Sequence, residues 1–148
     1  SQFLSAATTA DTDFSTWIAS DLFGLDPGDQ GFNDDPDEDG LPSGVEAFFG
    51  SNPASASGGL TAVSKSGVAV TFQHPNPNTP LSDVVGSYQW STDLLTWYDG
   101  DGVDGDGSTT VTAVATPDSP SDNITTVVAT IGGLVPGQLY LRAVATKL

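Results

Sequence analysis

From Asp35 to Glu46 the chain reads Asp-Pro-Asp-Glu-Asp-Gly-Leu-Pro-Ser-Gly-Val-Glu, with carboxylates at alternate positions, then a glycine, then a closing glutamate. Every defined position fits the pattern D-x-[DN]-x-[DN]-G-x5-E. The spacing has a chemical reason. A calcium ion takes about six to eight oxygen ligands at roughly 2.3–2.6 Å, and alternate residues of a tightly curled loop turn their carboxylates to one side. That brings Asp35, Asp37 and Asp39 together, while Gly40 permits the sharp turn. The carbonyl of Leu41 supplies a further oxygen, Ser43 stands where a water-mediated ligand is found, and Glu46 closes the far side with both its oxygens. Magnesium, smaller and octahedral, is poorly served by a bidentate Glu. The expected ion is therefore Ca2+, held by Asp35, Asp37, Asp39, Leu41 and Glu46. The competing reading is a capping box of Ser43 and Glu46, which needs no metal. Against it, these carboxylates crowd together without a Lys or Arg nearby and repel one another unless a cation is present.

Other chemistry finds little to work with. The acidic run from Asp99 to Gly107 could hold a second ion, but it lacks a closing Glu, and Asp–Gly pairs equally suit hairpin turns. There is no Cys, and the single His, His74, precedes Pro75-Asn76-Pro77 in an expected solvated loop. No Gly-x-Ser-x-Gly or metal-protease helix accompanies it. Catalytic residues are not expected, and the chain reads as non-enzymatic.

The formal net charge of -16, from 19 acidic against three basic residues, repels nucleic acid and anionic membrane surfaces. No apolar run is long enough to insert into a membrane. Only Glu38 and Glu46 among the acidic residues are Glu, and Asp prefers loops, so the charge is expected there rather than on helices. Salt adaptation would also give an acidic, Lys-poor chain. The sequence starts at Ser1 rather than Met, as after removal of a signal peptide or trimming. Its Ser, Thr, Ala, Gly and Val texture resembles bacterial cell-surface proteins, so an extracellular or cell-surface location is expected.

Four zones must position the loop. Residues 1–12 form an extended N-terminal arm, 13–53 a helix–calcium loop–helix module, 54–59 a linker, and 60–148 a β-sandwich. In the module, Phe14, Trp17, Ile18 and Leu22 recur at helical spacing between an N-cap at Asp13 and a stop at Gly24, which predicts about three turns. A shorter helix is expected over 44–49, ended by Gly50, with Val45, Phe48 and Phe49 packing on Trp17 and Leu22. Beyond the linker, strands are expected at 60–64, 68–73, 84–91, 96–99, 109–116, 125–131 and 138–146, separated by turn chemistry. Short strands with no intervening helices point to an antiparallel sandwich.

Two resemblances sharpen this. Asp35 to Glu46, followed by Phe48-Phe49 and Gly50-Ser51-Asn52-Pro53, resembles the solitary calcium repeats of thrombospondin type 3 and dockerin kind. It is also similar to loops in secreted proteins of Verrucomicrobia and Planctomycetes. Pro42 lacks the N–H that pairs two EF-hand loops, and the first helix does not run into the loop, so this is expected to be a solitary EF-hand-like site. The resemblance implies secretion and calcium, and no reaction. Leu134-Val135-Pro136-Gly137-Gln138-Leu139-Tyr140-Leu141-Arg142 resembles the Pro-Gly turn and penultimate strand of fibronectin type III domains, and Tyr88 to Trp97 resembles a hairpin of the same bacterial proteins. The implied fold class is mainly β, a fibronectin type III or Ig-like sandwich preceded by the helical calcium module.

A fibronectin type III domain carries one more strand than the count above, so the outer edge of the 138–146 strand is expected to be open. Open edges are covered, or used for strand addition. The arm at 1–12 is about strand length and could close its own edge or a neighbour's. The second case gives a homo-oligomer or filament. The expected function is a self-assembling extracellular structural subunit. The alternative is a monomeric glycan- or surface-binding adhesion module that uses Trp90, Trp97 or Tyr98 as stacking platforms.

Overall fold

The computed structural model describes residues 12–56, 58–103 and 107–148. Among them the chain is mainly β, with seven strands in two antiparallel sheets and little helix. The strands are β1 (Thr61–Ser66), β2 (Ala69–Pro75), β3 (Val84–Ser91), β4 (Tyr98–Asp99), β5 (Thr109–Thr116), β6 (Ile124–Gly133) and β7 (Tyr140–Lys147). Except for the two-residue β4, they fall on stretches whose Val and Thr residues favour a pleated, half-buried surface. One sheet has the order β1-β2-β6-β5 and the other β4-β3-β7. β5 and β6 pair without a break from Thr109↔Gly133 to Thr116↔Thr126. The expected arm lies outside the described residues except for Thr12.

The chain divides into two compact units. One holds Leu60–His74 and Ser87–Val144. Its core is Trp90, Val111, Ala129 and Ile131, with Tyr98, Leu139 and Leu141 packed against it. These residues come from both sheets, so the architecture is sandwich-like. Trp90 is buried and satisfied, since its Nε1 donates to the Asp99 carbonyl at 3.0 Å. β2 alternates as an inward-facing strand must, burying Val70, Phe72 and His74. β1 does not: it is exposed along its whole length, and its register slips between Thr61 and Ser64.

The other unit gathers the described residues up to Gly59 with Pro75–Gly86 and Ala145–Leu148. It contains α1 (Phe14–Ile18), a 3-10 turn at Pro27–Asp29, and α2 (Ser43–Phe49). Asp13 caps α1 by accepting the Thr16 N–H at 2.8 Å, as its residue type requires. The helix then stops far short of Gly24. The Ser20 hydroxyl accepts the Leu22 N–H and the Ser20 carbonyl accepts the Phe23 N–H, so local side-chain bonding draws the backbone into a turn. Phe23 folds back edge-on to Trp17, with ring centroids 5.0 Å apart, and Leu22 is left 89% exposed rather than in the core. The core that forms is Phe14, Ile18 and Ala47, surrounded by Trp17, Leu25, Phe32, Leu81 and Val84. α2 ends at Gly50, whose φ of 78° is the left-handed cap glycine supplies.

Candidate metal centre

The loop from Asp35 to Pro42 is curled by its own carboxylates. Asp35 accepts the N–H of Asp39 (3.2 Å) and of Gly40 (3.0 Å), and Asp39 Oδ1 accepts the N–H of Leu41 (2.8 Å). Two left-handed residues, Glu38 (φ 56°) and Gly40 (φ 89°), tighten the curl. The result brings Asp35, Asp37 and Asp39 together, with one carboxylate oxygen of each within 4.8 Å of the others. Leu41 follows directly, and its carbonyl is the group it has to offer.

Glu46, on α2, is not part of that 4.8 Å cluster, but its carboxyl is close enough to be repelled by Asp37, Asp39 and Asp35. The helix starts where the backbone of 32–34 accepts its first N–H groups, Ser43 N–H to Asp34 O (2.8 Å) and Gly44 N–H to Phe32 O (2.7 Å). Those carbonyls satisfy orphan helix donors, so no side-chain cap is needed. Pro42 occupies the N-cap position and Ser43 is the first helical residue, which rules out the Ser43–Glu46 capping box. Ser43 and Glu46 are buried instead. Glu46 Oε2 accepts a hydrogen bond from the Ser51 hydroxyl at 3.3 Å. Glu46 Oε1, Ser43 Oγ and Asp37 Oδ2 are buried without a hydrogen-bond partner among the described residues.

Buried polar atoms are ordinarily satisfied, and a buried carboxylate left with a bare oxygen is costly. The electrostatics state the same conflict. Burial, then repulsion from Asp37, Asp39 and Asp35, pushes the Glu46 carboxyl up to about 8. Asp37 is also raised, by burial first and then by Asp35 and Asp39. All the available atoms are hard oxygens and most belong to carboxylates, the donor set of calcium. A divalent cation would fill the bare positions and offset the repulsion, so the residues present fit the ion.

Sequence reasoning did not find three supports of this site. The carbonyls of Phe32 and Asp34 carry no side-chain signature. Gly44 was read only as helix, but a Cβ there would collide with the Phe32 ring, so a glycine is needed beneath that aromatic. Ser51, just past the Gly50 cap of α2, is a third support, its hydroxyl donating to Glu46.

Other expectations resolve differently. Residues 104–106 of the second acidic run lie outside the described residues; its first part makes a turn, with Gly102 N–H donating to Asp99 O at 2.8 Å. His74 is not in a solvated loop. It extends the inward face of β2, is buried, and shares a hydrogen bond with Tyr88 Oη. Burial pushes that phenol up to about 12. Of the expected stacking aromatics, Trp90 and Tyr98 serve the core, and the Arg142 guanidinium lies over the Trp97 ring at 4.1 Å. Among the described residues, no helix is long and apolar enough to cross a membrane. The chain matches no protein-family model, no curated protein and no solved structure.

Proposed function

We propose that the chain is a non-enzymatic, extracellular, calcium-binding structural protein that assembles with copies of itself into a filament or surface layer through an open sheet edge. The observation that carries the reading is the buried set of unpartnered oxygens on Asp37, Ser43 and Glu46 beside the Asp35–Asp37–Asp39 cluster. Such a set is unstable alone and stable around Ca2+. Calcium then acts as a structural element, fixing α2 against the loop that precedes it. The resemblance of this loop to solitary calcium repeats of secreted proteins supports the extracellular setting, where the ion is abundant. Assembly is supported by β7, which has one strand neighbour, β3, among the described residues. The glycan-binding alternative loses support from the aromatics, which are engaged in packing.

Sedimentation of the purified chain in calcium and in excess chelator tests both parts. Large particles that soften or dissociate on chelation are expected. A monomer in both conditions removes the assembly, and melting that is indifferent to chelator removes the calcium.

A further inference from the structure

We infer that the outer edge of β7 accepts a further strand, and that this strand is the N-terminal segment 1–11 of a second copy, an inference that rests on the self-assembly reading above. Four observations lead there.

The two sheets are unequal. Trp90 of β3 and Tyr98 of β4 pack with Val111 of β5 and Ile131 of β6, and Tyr88 of β3 meets Phe72 of β2 edge-on at 5.9 Å. Matched in this way, three strands cover three of the four, and β1 has no described strand opposite it. β1 shows the consequence, being exposed throughout, with Val63 at 66%. In a complete sandwich the inner side of an edge strand is covered by the facing sheet. Among the described residues, the gap beside β7 and the bare face of β1 are therefore one vacancy seen from two sides.

The backbone of β7 is set up to fill it. Leu148 N–H donates to Asp83 O at 2.8 Å, and the Arg142 side chain meets that of Gln89 at 2.7 Å. Both contacts fit one antiparallel register. Hydrogen-bonded pairs alternate along such a ladder, so the even-numbered residues of β7 bond to β3. The N–H and C=O groups of Leu141, Ala143, Ala145 and Lys147 then face outwards, a strand's worth of donors and acceptors.

The segment before Thr12 suits that edge. Eleven extended residues span about 36 Å, against about 26 Å for the eight of β7. Its first ten residues carry no charged side chain in a chain of net charge -16, and Leu4, Ala6 and Ala10 share one face of a strand. A strand that must slide beside Leu141 and over Val63 needs this neutrality.

Direction selects the second copy. Thr12 O accepts the Ser82 N–H at 2.9 Å, and the next residue, Asp83, holds Leu148. Thr12 is therefore held beside the C-terminal end of β7. Folded back on its own copy, the segment before it would run parallel to β7, whereas both sheets here are antiparallel. Antiparallel pairing is also somewhat more stable per residue, and a segment donated by another copy can adopt it.

The chain has no cysteine, so engineered ones report cleanly. Val144→Cys protein is mixed with Ser5→Cys, Ala6→Cys or Ala7→Cys protein and oxidised, while the corresponding double variants are oxidised in parallel at high dilution. Sedimentation of the unmodified chain is run alongside. A mixed disulfide between the single variants, absent when either cysteine is omitted, is the expected result. Ala6→Pro, in a segment outside the described fold, should weaken association about tenfold or more by removing a ladder N–H. A disulfide formed only within the double variants overturns donation between copies. Assembly that persists with no disulfide and no effect of Ala6→Pro overturns the segment and leaves the self-assembly reading in place. A monomer throughout ends both.

Discussion

Replacing Glu46 by Gln should raise stability in the absence of calcium and blunt the stabilisation that calcium gives. The amide keeps the shape and removes the charge. In excess chelator the wild-type carboxyl sits buried, raised to about 8 and opposed by Asp37, Asp39 and Asp35. Above that pH, Glu46→Gln relieves the conflict, and the variant should melt higher than wild type. With calcium the gap narrows. At about a hundredfold excess over the dissociation constant, binding adds roughly 2.7 kcal/mol to the wild type. If losing the bidentate charged ligand weakens binding about a hundredfold, the same calcium adds only about 0.4 kcal/mol to the variant. For a chain of this size each kcal/mol is worth roughly 2–4 °C in melting temperature. Calcium should thus raise wild type by about 5–11 °C and the variant by about 1 °C. Calorimetric melting of both proteins in calcium and in chelator at pH near 9 reads all four values, and titration calorimetry gives the affinities. An equal calcium shift in both proteins would refute the assignment of Glu46 as a ligand.

In chelator, the melting temperature of wild type should fall as pH climbs from about 5 to about 9. The folded Glu46 pKa lies above its unfolded value of 4.5, so its contribution is full below that value and lost through about 8. Saturating calcium should abolish the fall; a flat profile in chelator would show that Glu46 does not hold this proton. Asp13 and Asp93, lowered chiefly by hydrogen bonds from Thr16 and Thr96, act in the other sense and only at acidic pH. Gly44→Ala should cost about 1–3 kcal/mol, because the new Cβ meets the Phe32 ring, although helix propensity alone would favour Ala by about 1 kcal/mol. Stabilisation on denaturant unfolding would show that Phe32 moves aside freely.

The strands were the most legible part of the molecule. Val84 to Ser91 and Thr109 to Thr116 coincide with their observed bounds, because β-branched runs closed by Gly, Pro and Asp leave few alternatives. The curl of the acidic loop was legible for a different reason: carboxylates at alternate positions before a glycine predict the gathering of Asp35, Asp37 and Asp39 that the fold forms. What escaped was tertiary. Helical spacing alone predicts Leu22 in the core, but Ser20 diverts the chain before that spacing can be used. His74 next to Pro75 reads as a loop residue, yet β2 runs through it and turns it inward. The aromatic at 32 gives no hint that it sits over Gly44, since that contact exists only once α2 is docked.

The placement of the three basic residues bears on how copies meet. Lys65 lies on β1, and Arg142 and Lys147 lie on β7, so every basic side chain of the chain is on one of the two strands that flank the vacancy. Edge lysines guard against unwanted pairing. Arg142 and Lys147 are already engaged, the first with Gln89 and Trp97 and the second with Asp83 at 3.7 Å, so they are not an open docking patch for an acidic partner. Copies of net charge -16 repel one another at long range, over a screening length of about 8 Å at physiological ionic strength. A donated strand whose first ten residues carry no charged side chain adds backbone pairing without relieving that repulsion. Assembly held in this way should strengthen as monovalent salt rises at constant saturating calcium, because screening removes the obstacle and leaves the hydrogen-bonded ladder intact. An interface built on ion pairs would do the reverse. Sedimentation across a salt series separates the two, and dissociation at high salt would place the contact between copies on charged side chains rather than on the edge of β7.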